Sequence, residues 1–308
     1  MFSVIFPGQG SQIVGMGKEF FEKFDIVKKL FKDANEALEF DITKLILEGP
    51  KENLNLTANT QPAIFLISYS IFKVVKEEYN INLNEAKYFA GHSLGEYSAL
   101  SCAGYLNFNQ TIKILKIRGN AMQNSVPKGV GGMLAVLGSR INEIEKILKD
   151  NEKNFIAQIA NDNSDNQIVI SGKNKDLDLL AQYLKNVNIK NIKLPVSAPF
   201  HCNLMSQATK IMKNEIQKIN FNDSNNILIS NVTADEILNL EDLKKLLITQ
   251  IESRVRWRES IINMINKGVN QFIEIGPGKV LSGLIKRINK DVKISSINNQ
   301  SDIESLKL

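Results

Sequence analysis

Gly91-His92-Ser93-Leu94-Gly95 is the stretch on which the fold turns. An apolar run, Tyr88-Phe89-Ala90, precedes it, and Glu96-Tyr97-Ser98-Ala99-Leu100 follows with helical character. Strand, sharp turn and helix form the context that makes G-x-S-x-G a nucleophile elbow instead of a chance match. The glycines allow a tight turn and leave room beside Ser93. The helix behind the turn directs free N–H groups toward whatever sits on the serine oxygen.

Upstream, Phe2-Ser3-Val4-Ile5-Phe6 reads as a first strand, broken by Pro7-Gly8-Gln9-Gly10-Ser11-Gln12. That loop lacks the GK[ST] ending of a phosphate-binding P-loop. It sits where open α/β sheets place ligands, at the carboxyl end of a strand. Residues 16–38 read as one helix. Another runs over 63–77, started by Asn59-Thr60-Gln61-Pro62, with Ile64, Ile67, Ile71 and Val74 as its core face. Downstream, 106–124 is helical and carries Arg118, which alone reads as a solvated surface charge.

Pro127-Lys128-Gly129-Val130-Gly131-Gly132 marks a boundary. Beyond it strands are expected at 133–137, 155–160, 167–171 and 189–194, with a polar turn at 161–165 and helices at 140–150 and 175–185. The order βαββαβ is that of the ferredoxin-like split unit. The expected organisation is therefore α/β, with residues 1–126 and 197–308 in a large subdomain and 127–196 as a ferredoxin-like insert. In the returning chain, helices are read at 204–217, 240–250, 257–266 and 280–288, and strands at 227–230 and 272–275.

Hydrophobic residues make up 43% and charged residues 23% of the 308, a soluble globular balance. No apolar run approaches a membrane span, and no basic leader precedes the first strand, so no signal or transit peptide is expected. The two cysteines, Cys102 and Cys202, suggest a reducing compartment, and the cytoplasm is expected. The net charge of +5 is spread along the chain, without the dense basic tract that nucleic acid would require.

A serine needs a base to attack at neutral pH. The chain has two histidines. His92 adjoins Ser93 and reads as a scaffold residue, which leaves His201 as the base. No carboxylate stands out as a third member. Two histidines without H-E-x-x-H or paired C-x-x-C leave no metal set, and no G-x-G-x-x-G lies in a βαβ context.

The motifs in order are Phe6-Pro7-Gly8-Gln9-Gly10-Ser11-Gln12, Asn59-Thr60-Gln61-Pro62-Ala63, Gly91-His92-Ser93-Leu94-Gly95-Glu96, Arg118-Gly119-Asn120-Ala121-Met122-Gln123, Ala198-Pro199-Phe200-His201 and Glu274-Ile275-Gly276-Pro277-Gly278. Together the chain resembles the malonyl-coenzyme A:acyl carrier protein transacylases, in the acyl transferase family of fatty-acid and polyketide synthesis. The resemblance implies an α/β-hydrolase-like large subdomain and a ferredoxin-like insert. It implies Ser93 as nucleophile, His201 as acid and base, the backbone N–H groups of Gln9 and Leu94 as oxyanion hole, and Arg118 as partner of the malonyl carboxylate. The Gln250 carbonyl would orient His201, Asn161 would line the site, and Phe200 beside His201 would fit malonyl selectivity. Lys190, Lys286 and Arg287 would receive an acidic carrier. The implied partners are malonyl-coenzyme A and acyl carrier protein, with no cofactor, nucleic acid or membrane, and the chain is expected to be a monomer. The segment Ser253-Arg254-Val255-Arg256-Trp257 departs from the Asn-Pro-Val that relatives often carry ahead of the tryptophan. A serine hydrolase of the same fold and a non-catalytic carrier-binding relative stand as alternatives. Arg118 and the missing triad acid argue against the first, and the joint presence of Ser93, His201 and Arg118 against the second.

Overall fold

A computed structural model describes residues 1–196 and 198–307. The expected boundary at Ser197 and the terminal Leu308 lie outside the described residues. Among those described, two four-stranded sheets are formed from β1 (Phe2–Phe6), β2 (Tyr88–Gly91), β3 (Gly131–Leu137), β4 (Ala157–Ser164), β5 (Gln167–Lys173), β6 (Lys190–Lys193), β7 (Gln271–Ile275) and β8 (Lys293–Ile297).

The first sheet has the order β2-β1-β7-β8, with every pair parallel. Its central strands are buried along their whole length. Burial on both faces is what continuous apolar runs such as FSVIF require, because helices cover a parallel sheet on each side. The helix Thr57–Glu77 is the largest cover, with sixteen residues buried. The loops after β1, β2 and β7 emerge together at the carboxyl end of this sheet.

The second sheet has the order β4-β5-β3-β6 and is antiparallel throughout. Alternation along its strands divides the side chains between two cores. Leu134, Val136, Ile168 and Ile170 pack with Ile144, Leu177 and Leu180 from the helices Ile141–Asp150 and Asn174–Asn186. Met133 and Val169, on the opposite face, join the core of the large sheet. One face thus folds the small unit and the other fastens it to the large one.

Four expectations change. Residues 16–38 form two helices, Lys18–Lys23 and Asp25–Leu38, because Phe24 between them is extended at φ −115°. Most of the turn read at 161–165 belongs to β4, which runs to Ser164: Asp162 and Asn163 meet partners across the interface and are buried, while Asp165 beyond the strand is exposed. The strand read at 227–230 is reduced to two isolated bridges, Leu228 to Phe89 in parallel and Ile229 to Glu236 in antiparallel, as the chain bends back so that the Ser230 carbonyl takes the Ala234 N–H. The helix expected at 63 begins at Thr57, and Pro62 is accommodated inside it. β8 and the short helices Ile42–Glu48, Lys51–Leu54 and Gln300–Glu304 are additional to the expected elements. No helix among the described residues is long and apolar enough to cross a membrane.

Candidate active site

The elbow is built by close backbone approach. A Cβ on Gly91 would lie 1.9 Å from the Gly95 carbonyl oxygen, and one on Gly95 would lie 2.3 Å from that of Phe6. No larger residue fits either position. The turn holds Ser93 at φ 54°, in the left-handed region that side chains other than glycine's rarely occupy. Such strain persists where neighbours over-determine it. Asn231 does so here: its Oδ1 accepts from the Ser93 N–H at 2.7 Å and its Nδ2 donates to the Gly91 carbonyl at 2.7 Å.

Ser93 Oγ lies 2.7 Å from His201 Nε2. His201 Nδ1 faces the Gln250 carbonyl oxygen at 2.9 Å. A carbonyl only accepts, so Nδ1 carries the proton and Nε2 presents its lone pair to the serine hydroxyl. His201 also has a positive φ, 58°. Burial, with a smaller contribution from the nearby Arg118 charge, pushes its pKa down to about 3. It is a neutral acceptor across the physiological range.

Arg118 is not a surface charge. It is fully buried, on the helix Phe108–Gln123. Its Nη2 donates to Ser93 Oγ at 3.2 Å and to Gln250 Oε1 at 2.8 Å, and its Nη1 donates to Gln61 Oε1 at 2.8 Å. Its Nε has no acceptor. No carboxylate among the described residues pairs with it. Leaving a buried cation unpaired is costly, because its lost hydration is not replaced by an opposite charge.

Gln250 contacts every part of the cluster. Besides its bonds to His201 and Arg118, its Nε2 donates to the Ser93 carbonyl at 3.0 Å and to Glu96 Oε2 at 2.7 Å. Glu96 is itself buried, and desolvation pushes its carboxyl up to about 7 against the pull of Gln250, Asn231 and Arg118. Neither the Gln9 nor the Leu94 backbone N–H has an acceptor among the described residues, while the Gln9 side chain is tied to Thr57 Oγ1 at 3.2 Å.

His92 points away from the serine. Its Nε2 meets Asn163 Oδ1 at 2.8 Å and its ring lies against Trp257. Asp162 is forked by Arg258, and Asn161 pairs with Val255 through the backbone. Three successive residues of β4 therefore dock onto the large unit. Asn161 is half-buried with an unpartnered Oδ1, and no hydrogen bond joins it to Ser93, His201 or Arg118. Phe200 is buried in the large core, and its carbonyl accepts from Ser171 Oγ at 2.5 Å. A cleft of about 490 Å³, walled by Gln158, Glu252 and Arg254, reaches His201. Within the segment that departs from the usual pattern, Ser253 and Arg254 stand where relatives often carry Asn and Pro, while Val255 keeps the valine and forms the backbone pair with β4.

Lys190, Lys286 and Arg287 are all exposed. Arg287 donates to Gln167 at 3.3 Å, and Leu137 pairs with both Gln167 and Lys190, so these two cations share one end of the small sheet. Lys286 lines a separate hollow with Lys279 and Ser296. Glu274, buried beneath the last glycine turn, accepts the backbone N–H groups of Leu281 and Ser282 and so caps the helix Val280–Ile288.

The sequence reading assigned no role to Gln61, Glu96 or Asn231. The first two stood inside quoted motifs. Asn231 had only one signal, a polar residue directly after the strand read at 227–230.

The acyl transferase domain family matches residues 3–305. The chain is 42% identical over 302 residues to a malonyl CoA-acyl carrier protein transacylase of Bacillus subtilis, covering 97% of this chain and 94% of the relative. The crystal structure of an acyl-carrier-protein S-malonyltransferase from Bartonella henselae superposes with a TM-score of 0.95 at 41% identity, covering 99% of this chain and 97% of that one. A malonyl-transacylase solved in complex with its type II PKS acyl-carrier protein superposes at 0.94 with 35% identity, covering 99% and 98%. With the likeness running from the first strand to the last helix, the chain belongs to the acyl transferase domain family.

Proposed function

We propose that the chain transfers a malonyl group from malonyl-coenzyme A to the phosphopantetheine thiol of acyl carrier protein, supplying extender units for fatty-acid synthesis. Ser93 is the nucleophile. Its proton passes to His201 Nε2 as Oγ attacks the thioester carbonyl, and the Gln9 and Leu94 N–H groups hold the oxyanion. The C–S bond then breaks and coenzyme A leaves as a thiol with the proton returned by His201. In the second half the carrier thiol gives His201 its proton, attacks the malonyl ester, and Ser93 Oγ recovers the proton on departure. The Gln250 carbonyl stands where a triad acid would, fixing the tautomer without adding charge. These groups and the two thiols complete the chemistry without a metal or bound cofactor.

The observation that carries the substrate assignment is Arg118: a buried cation without an anion, 3.2 Å from the nucleophilic oxygen. A malonyl group on Ser93 carries a free carboxylate into reach of that charge, and arginine's planar fork suits it. Asn161 and Phe200 line the approach, and Lys190, Lys286 and Arg287 receive the acidic carrier. The two sheets are read as an α/β-hydrolase-like subdomain over 1–126 and 197–308 and a ferredoxin-like insert over 127–196, whose strand order fits the split βαββαβ unit. The protein is read as a cytoplasmic monomer. Intact-mass measurement after mixing with malonyl-coenzyme A tests the reading: one malonyl group should be gained by the wild type and none by Ser93→Ala. Malonylation of the variant overturns it.

A further inference from the structure

Two neutral amides hold Arg118. Gln61 Oε1 accepts from Nη1 and Gln250 Oε1 from Nη2, each at 2.8 Å. Buried arginines are ordinarily paired with acids. The acid nearest in the network, Glu96, is kept one residue away, bonded to the far end of the Gln250 amide. Gln61 is itself fixed: it is 2% exposed, in the second turn of the helix Thr57–Glu77, and its Nε2 rests on the sulfur of Met122, one helical turn beyond Arg118.

We propose that Gln61 is a specificity-determining residue, orienting Arg118 through an uncharged oxygen so that the full positive charge remains for the substrate carboxylate. This rests on the assignment of Arg118 to the malonyl carboxylate. Two demands meet at this position. The guanidinium must be aimed, which any acceptor does. It must also stay unneutralised, which excludes glutamate although glutamate has the same shape and grips arginine more strongly. With a carboxylate at 61, Arg118 would be as well oriented and already paired. A malonyl group would then bring a second negative charge into a site with one cation, and an acetyl group would lose nothing.

The test compares kcat/KM for malonyl- and acetyl-coenzyme A in the wild type, Gln61→Glu, Gln61→Met and Arg118→Ala. Both substrates are assayed on one preparation, so a reduced folded fraction cancels in their ratio. Gln61→Glu should lower the malonyl-to-acetyl ratio at least ~10-fold, or about 1.4 kcal/mol. Gln61→Met, which removes the hydrogen bond and adds no charge, should lower it less. If Gln61 merely packs and bonds, the order reverses, with Met the more damaging, and the inference is overturned. Should Gln61→Glu not fold, Gln250→Glu places the same charge on the other side of the guanidinium and should give the same drop. A collapse of the ratio in Arg118→Ala with a wild-type ratio in the Glu variants rejects the inference alone. An unchanged ratio in Arg118→Ala rejects the reading beneath it.

Discussion

Arg118 and the trio Lys190, Lys286 and Arg287 carry the same charge under opposite conditions. Arg118 is fully buried between uncharged acceptors. The other three stand in solvent at the rim of the small sheet and on the helix Val280–Ile288. Two unit charges 4 Å apart interact by about 1 kcal/mol in water and by about 4 at an effective dielectric constant of 20. The buried cation can therefore choose between substrates, whereas exposed ones can gather an acidic partner but discriminate weakly. Burial also gives Arg118 a hold on its neighbours that the surface cations lack, because it helps keep His201 unprotonated.

The largest effect lies at the centre of the buried cluster. His201→Ala should slow both acylation by malonyl-coenzyme A and discharge to the carrier thiol by ~10²–10⁴-fold, as expected for a general acid and base serving both steps. Rapid-quench measurement of each half-reaction checks this. Near-normal rates in both would leave His201 as scaffold and remove the interior's claim to the chemistry.

A smaller effect appears in pH dependence. An ordinary histidine titrates near 6.5, and His201 is lowered to about 3. The base must be neutral to accept a proton, so a lowered pKa extends activity toward acid. kcat/KM for acetyl-coenzyme A should thus stay level from neutral pH down to about pH 5. Arg118→Ala removes one of the lowering charges, so its acid limb should move to higher pH. A wild-type limb centred near 6.5 would show that burial does not act on His201 in this way.

The smallest effect belongs to the rim. Charge reversal at Lys190, Lys286 and Arg287 should raise the KM for the carrier severalfold at low salt. The effect should fade near physiological ionic strength, where the screening length is about 8 Å. Steady-state assays across a salt series measure it. A KM unchanged at low salt would reject this patch, and a salt-independent rise would indicate contacts other than charge.

These contrasts explain what the sequence could and could not disclose. The elbow was legible because its constraints are local: Gly91 and Gly95 are demanded by atoms a few residues away in the chain or on the adjoining strand. The small sheet was legible because its two central strands are short apolar runs bounded by glycine and polar breaks. The turn misread at 161–165 was not, since its polarity matches a loop until His92 and Arg258 arrive from distant segments to bond it. Arg118 shows the same limit. Nothing within the helix Phe108–Gln123 marks it as buried, and only motif resemblance separated it from a surface charge. Asn231, which clamps Ser93 from 138 positions away, left almost no trace.

A competition experiment tests the central claim most directly. Wild type and Arg118→Ala are mixed with equal concentrations of malonyl- and acetyl-coenzyme A, and the acyl group on Ser93 is identified by intact mass at early times. The account predicts a predominantly malonylated wild type, and a variant in which the malonyl-to-acetyl proportion falls by at least ~10-fold as the charge-assisted bonds are lost. Equal proportions in the two proteins would contradict it, and would make Arg118 a structural charge with no part in choosing the substrate.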